Sequence, residues 1–85
     1  MIEKTVTVKR RAGLQARPAA LFVQEANKFN SDIFIEKDNK NVNAKSIMGI
    51  MSIAVGADKE IVIKADGPDE EEAMTALVAF VEKEE

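Results

Sequence analysis

From Ile2 to Val8 the chain alternates, with Ile2, Lys4, Val6 and Val8 on one side and Glu3, Thr5 and Thr7 on the other. A period of two predicts a half-buried strand, here with one imperfect inward position at Lys4. Lys9-Arg10-Arg11-Ala12-Gly13 is a polar connection ending in glycine. The period then changes. From Ala16 to Lys28 the apolar positions Ala19, Phe22, Val23, Ala26 and Phe29 recur at helical spacing. Pro18 fits the first turn of that helix, where its missing N–H costs nothing. Asn30-Ser31-Asp32 breaks the pattern, and Ile33-Phe34-Ile35 predicts a second strand. It ends at Lys37-Asp38-Asn39-Lys40, where Asp38-Asn39 can take the positive φ of a two-residue hairpin turn. A short third strand is expected at about 41–44. Ser46 then opens a second helix, with Gly56 as its stop. Glu60 to Ala65 reads as a fourth strand with Ile61, Ile63 and Ala65 on one face. After the Asp66-Gly67-Pro68 turn, Asp69 with Glu72 three residues on resembles a capping box opening a last helix. Its buried face should be Ala73, Leu77, Phe80 and Val81, with Met74 alongside.

The order is βαββαβα, in one α+β domain spanning 1–85. A single sheet covered on one face by the three helices is the simplest way to bury these stripes. Periodicity leaves the strand order open, and a ferredoxin-like split βαβ arrangement with an added helix reads similarly.

Composition narrows the chemistry. A chain of 85 residues with 46% hydrophobic and 32% charged residues suits one small globular domain. The absence of Cys excludes disulfides, thiolate metal sites and thiol nucleophiles, and the absence of His removes the usual general base and the commonest metal ligand. No metal or cofactor is expected. With no Trp or Tyr, four Phe and a net charge of −3, the chain lacks the stacking and basic surfaces of a nucleic-acid binder. The longest uncharged stretch, Ser46 to Ala57, is too short for a membrane span of about 20 residues. No apolar leader is present at the start, so a cytoplasmic location is expected. Charge is uneven. Residues 1–50 hold nine Lys/Arg and five Asp/Glu (+4), whereas residues 51–85 hold three and ten (−7). This suggests a dipolar surface able to orient partners, although solvated faces alone would give the same count.

Two segments could carry function. In Gly13-Leu14-Gln15-Ala16-Arg17-Pro18-Ala19-Ala20 a helix start carries Gln15 and Arg17. Free N–H groups and a guanidinium fork there suit an anion, or else make an ordinary helix start with a surface Arg. In Ser46-Ile47-Met48-Gly49-Ile50-Met51-Ser52-Ile53, Ile50 and Ile53 share one helix face, while Ile47, Met48 and Met51 point elsewhere. A small domain has few layers to bury both sides, which favours an exposed apolar patch built on adaptable methionines.

Together the two segments resemble the phosphocarrier HPr family, whose signature reads Gly-Leu-His-Ala-Arg-Pro-Ala. Gly13, Leu14, Ala16, Arg17, Pro18 and Ala19 match, Gln15 stands at the His position, and Lys45-Ser46-Ile47-Met48-Gly49 matches the second signature. The resemblance covers essentially the whole chain and implies the HPr-like open-faced sandwich. In that family the His carries a phosphoryl group for the sugar phosphotransferase system. A carboxamide cannot take that role, because its nitrogen lone pair is delocalised and its oxygen is a poor nucleophile. The departure at Gln15 therefore points to the catabolite-repression branch of the family, without catalytic or carrier activity, rather than to an ordinary phosphocarrier. The resemblance further implies that Ser46 is the target of HPr kinase/phosphorylase. The phosphorylated chain is then expected to bind catabolite control protein A, a LacI-type regulator, as a corepressor. Gln15, Arg17, Ala20, Gln24, Ser46, Ile47, Met48 and Met51 are the expected partner-binding residues, with Lys45 and Arg17 as counter-charges to the phosphate. No direct contact with DNA or membrane is expected.

Overall fold

The computed structural model describes residues 1–84. Its elements are β1 (Ile2–Thr7), α1 (Arg17–Ala26), β2 (Asp32–Lys37), β3 (Lys40–Asn43), α2 (Ile47–Ser52), β4 (Glu60–Asp66) and α3 (Glu70–Glu82). All seven stand in the expected order. The strands form one antiparallel sheet in the order β1-β4-β2-β3. β1 and β2 thus run parallel with β4 inserted between them, and β3 closes the far edge as the second arm of a hairpin turned by Asp38 and Asn39, both at positive φ.

The period-two alternation sorts the sheet into two faces. Val6, Ile33, Ile35, Ile61, Ile63 and Ala65 are buried and meet Ala19, Phe22 and Ala26 of α1, Ile50 of α2, and Ala73, Leu77, Val78 and Val81 of α3. Phe22 and Phe80 stack edge to face at 5.6 Å and join α1 to α3. Such a pair contributes about 0.5–1.5 kcal/mol beyond its buried area. Met74, expected beside the core, lies within it at 7% exposure. Glu3 and Thr5 stand on the open face. Lys4 lies opposite Ile63 on the helix side yet is exposed, because β1 is an edge strand and the side chain can reach water past it. An inward charge on an edge also discourages pairing with another sheet.

Two expected boundaries differ. Gly56 does not end α2. The helix stops at Ser52, and Ala54 takes the left-handed φ of 47° with its N–H bonded to the Met51 carbonyl at 3.2 Å. Ile53 and Val55 are both buried, and a continued helix would place them about 200° apart, so the chain must unwind to turn both inward. The capping box at Asp69 is also absent, and the Asp69 side chain does not cap α3. Its carboxylate reaches across to the start of β2, accepting from the backbone N–H of Asn30 and Ser31, each at 2.9 Å, and from the Ser31 hydroxyl. Glu70 takes the local duty instead, accepting from the Gly67 N–H at 3.0 Å.

These bonds, the Ser31 hydroxyl first and the Asn30 amide next, hold the Asp69 carboxyl below its usual range. A carboxyl whose pKa is lower in the folded state stabilises the fold above its unfolded value of about 3.9, and that contribution fades as pH falls through the lowered folded value. Ser31→Ala removes the largest cause. The difference in thermal midpoint between wild type and Ser31→Ala should be largest near neutral pH and shrink below about pH 4. A difference independent of pH would show that Asp69 ionisation has no part in it.

Candidate functional site

Loop 8–16 carries the first segment. Gly13 sits at φ 63°, and a Cβ there would lie 2.1 Å from the Val55 carbonyl oxygen, so only glycine fits. The Gly13 N–H bonds the Arg10 carbonyl at 3.0 Å and the Leu14 N–H bonds the Val55 carbonyl at 2.9 Å, while the Leu14 side chain is fully buried. Leu14 therefore anchors the loop and leaves Gln15, Ala16 and Arg17 exposed. Ala16 is the N-cap of α1 at φ 54°, ψ −128°, a region that favours glycine and costs other residues about 1–3 kcal/mol. The strained loop is braced from beneath by Arg10, which is 8% exposed. Its guanidinium lies 3.6 Å over the Phe80 ring and its Nε donates to the Phe80 carbonyl at 2.8 Å.

The second segment abuts the first. Ser46 is the N-cap of α2, and its Oγ accepts from the Gly49 N–H at 3.1 Å, as a serine before a helix should. Ile50 is fully buried, whereas Ile47, Met48 and Met51 are 38%, 80% and 53% exposed. The two segments share a cleft of about 270 Å³ lined by Gln15, Ala16, Met51 and Ala54. The Gln15 amide donates there to the Val55 carbonyl in a long bond of 3.4 Å. Arg17, Ala20 and Gln24, three and four residues apart on α1, are all exposed on one side of that helix, and α1 packs against α2. Leu21, at 37% exposure, adds an apolar side chain to the same side. Its place off the Ala19, Phe22, Ala26 stripe was the sequence signal for it.

Lys45 differs from expectation. Its Nζ donates to the Phe29 carbonyl at 2.7 Å, just past the end of α1, so it is not a free counter-charge beside Ser46. The cause is local: Lys45 N–H bonds Asn43 Oδ1 at 2.8 Å and Asn27 Nδ2 reaches the Lys45 carbonyl at 3.4 Å, which turns the lysine toward α1. Asn27, Asn43 and Lys45 therefore hold the Ser46 loop, a role no periodicity signalled. Arg17 makes no ion pair among the described residues.

The family model described as the PTS HPr component phosphorylation site matches residues 2–83. The chain belongs to the HPr family. It is 67% identical over 84 residues to the HPr-like protein Crh of Halalkalibacterium halodurans, covering 99% of this chain and 100% of the relative. It is 58% identical to the HPr-like protein Crh of Bacillus subtilis, covering 99% of each. A solution structure of that relative, described as the catabolite repression HPr, superposes with a TM-score of 0.74 at 57% identity, covering 99% of this chain and 100% of that one. The phosphocarrier HPr of Bacillus anthracis superposes more closely, with a TM-score of 0.93 at 64% identity over 94% of this chain and 95% of that one. This likeness gives the HPr sandwich in place of the ferredoxin-like alternative. In this HPr-family fold, the loop bearing Gln15 and the end of α2 meet at the cleft lined by Gln15, Ala16, Met51 and Ala54. No helix among the described residues is long and apolar enough to cross a membrane.

Proposed function

We propose that this HPr-family chain is a phosphorylation-switched regulatory module rather than a carrier or an enzyme. HPr kinase/phosphorylase phosphorylates Ser46 with ATP. The phosphorylated chain then binds catabolite control protein A as a corepressor in carbon catabolite repression, in the cytoplasm, with DNA contacted by the regulator. The observation that carries this reading is Gln15 at the phosphocarrier position in a chain without any His, beside an intact Ser46 and an exposed apolar α2. A phosphate on Ser46 would find Lys45 already bonded to Phe29 and no other basic side chain within the loop. Its oxygens are therefore offered outward for charge-assisted bonds from a partner. Ile47, Met48 and Met51 supply apolar contact around it, and Arg17, Ala20, Gln24 and Gln15 extend the surface across α1 and the cleft.

The direct test is intact-mass analysis after incubation with the kinase and ATP, followed by capture on the regulator. One phosphate on Ser46 and phosphate-dependent capture support the reading. Acid-labile phosphate acquired from enzyme I and phosphoenolpyruvate would overturn it.

The apolar part has its own test. Met48→Gln and Met51→Gln should weaken binding of the phosphorylated chain to the regulator while leaving the thermal midpoint near wild type, since both side chains already stand in water. Ile50→Ala, one position from Met51 but fully buried, should instead cost about 2–5 kcal/mol of stability. A large loss of midpoint in both methionine variants would place them in the core and remove the docking role.

A further inference from the structure

The chain has four methionines and no cysteine, so thioethers are its only oxidisable sulfurs. Met74 lies in the core at 7% exposure. Met48 is 80% exposed, more than the N-terminal Met1 at 68%, and Met51 is 53% exposed. Met48 and Met51 are three residues apart on a six-residue helix whose inner face is held by Ile50, so both sulfurs sit on one outward patch. Met51 also borders the cleft with Gln15, whose amide is poorly engaged at 3.4 Å from the Val55 carbonyl. We propose that Met48 and Met51 form a reversible oxidation site, at which a peroxide turns the apolar part of the docking face polar without unfolding the domain.

The chemistry balances with hydrogen peroxide as the oxidant. The thioether sulfur attacks one peroxide oxygen, a sulfur–oxygen bond forms and the oxygen–oxygen bond breaks. Sulfur loses two electrons, and the departing hydroxide takes the proton left by the transferred oxygen and leaves as water. A thiol-dependent methionine sulfoxide reductase reverses the step, giving water, a disulfide on the reductant side and the thioether back. The fold tolerates the product because both side chains are already in water. A docked partner does not, since the sulfoxide oxygen would be stripped of water on contact without an assured donor.

The consequence for binding rests on the docking role proposed above, whereas the site chemistry does not. The test treats the folded chain with graded hydrogen peroxide and follows each methionine by peptide mass. Retention on a hydrophobic-interaction column and circular dichroism are recorded alongside. Met48 and Met51 should oxidise several-fold faster than Met74. Column retention should fall while the helical signal is kept, and reductase with dithiol should restore it. Met48→Leu/Met51→Leu, which keeps Met1 and Met74, should hold its retention under the same treatment. Binding of the kinase-phosphorylated chain to the regulator should fall several-fold on oxidation in wild type and stay constant in the double variant. Oxidation of Met74 in step with the other two, or retention unchanged when both Met48 and Met51 are oxidised, overturns the proposal. If the unoxidised phosphorylated chain does not bind the regulator, the proposed function fails, and oxidation order and retention still decide this inference.

Discussion

Gln15→His should convert the chain into a phosphoryl acceptor from enzyme I, moving it from no labelling to labelling comparable with an HPr. The loop is already built for a side chain at this position. Leu14 is buried and bonded to Val55, Gly13 takes the left-handed turn only glycine allows there, and Ala16 keeps its strained φ of 54°. Positions 15 and 17 are both exposed, and Arg17 makes no ion pair among the described residues. The missing component is electronic. An imidazole is largely neutral near pH 7, with a lone pair on one ring nitrogen to attack phosphorus, whereas the carboxamide lone pair is spread into the carbonyl. Labelling with enzyme I and labelled phosphoenolpyruvate, followed by acid treatment to break the phosphorus–nitrogen bond, reads the outcome. A variant that stays unlabelled while HPr is labelled would show that the loop, not the side chain, had lost the function.

Ser46→Ala should abolish phosphate-dependent binding to the regulator while lowering stability only slightly. The hydroxyl accepts from the Gly49 N–H, and losing such a cap costs about 1 kcal/mol. The core beneath, from Ile50 to Val55, does not depend on it. Ser46→Asp should restore binding in part, since it supplies a single charge where phosphate brings about −1.5 to −2 with more acceptor oxygens. Binding should weaken with salt to the extent that the new bonds stay exposed. Amide shift maps of the unmodified and phosphorylated chains distinguish a surface switch from refolding. Changes confined to the starts of α1 and α2 and the loop through Lys45 fit a surface switch. Changes spread across the sheet and α3 would refute it.

Local pattern was enough for most of the fold. Alternation placed Val6, Ile33, Ile35, Ile61, Ile63 and Ala65 on one face, and helical spacing placed Ala19, Phe22, Ala26, Leu77 and Val81 opposite them. A period of two or of 3.6 is a property of neighbouring residues, and burial simply follows it. The exposure of Met48 and Met51 was legible for the same reason: Ile50 and Ile53 already claim the inner face of α2. Pattern failed where a side chain spends its hydrogen bonds far along the chain. Asp69 with Glu72 has the spacing of a capping box, yet the carboxylate serves Asn30 and Ser31, almost forty positions away in sequence. Lys45 next to Ser46 suggests a counter-charge, yet it bonds Phe29.

The order of elements, the core stripes, the absence of an imidazole and the presence of a serine before an apolar helix could all be read from the residues alone. Each of these depends on residue identity or on spacing within one element. Long-range packing, in contrast, put β4 between β1 and β2 and brought Gln15 and Met51 to one cleft. It also decided that buried Arg10 braces the loop through Phe80. These facts join residues from 26 positions apart, as Glu36 and Val62 across β2 and β4, to 70, as Arg10 and Phe80. Which distant groups meet depends on how whole faces pack, with each buried polar group taking the partner that packing brings within reach.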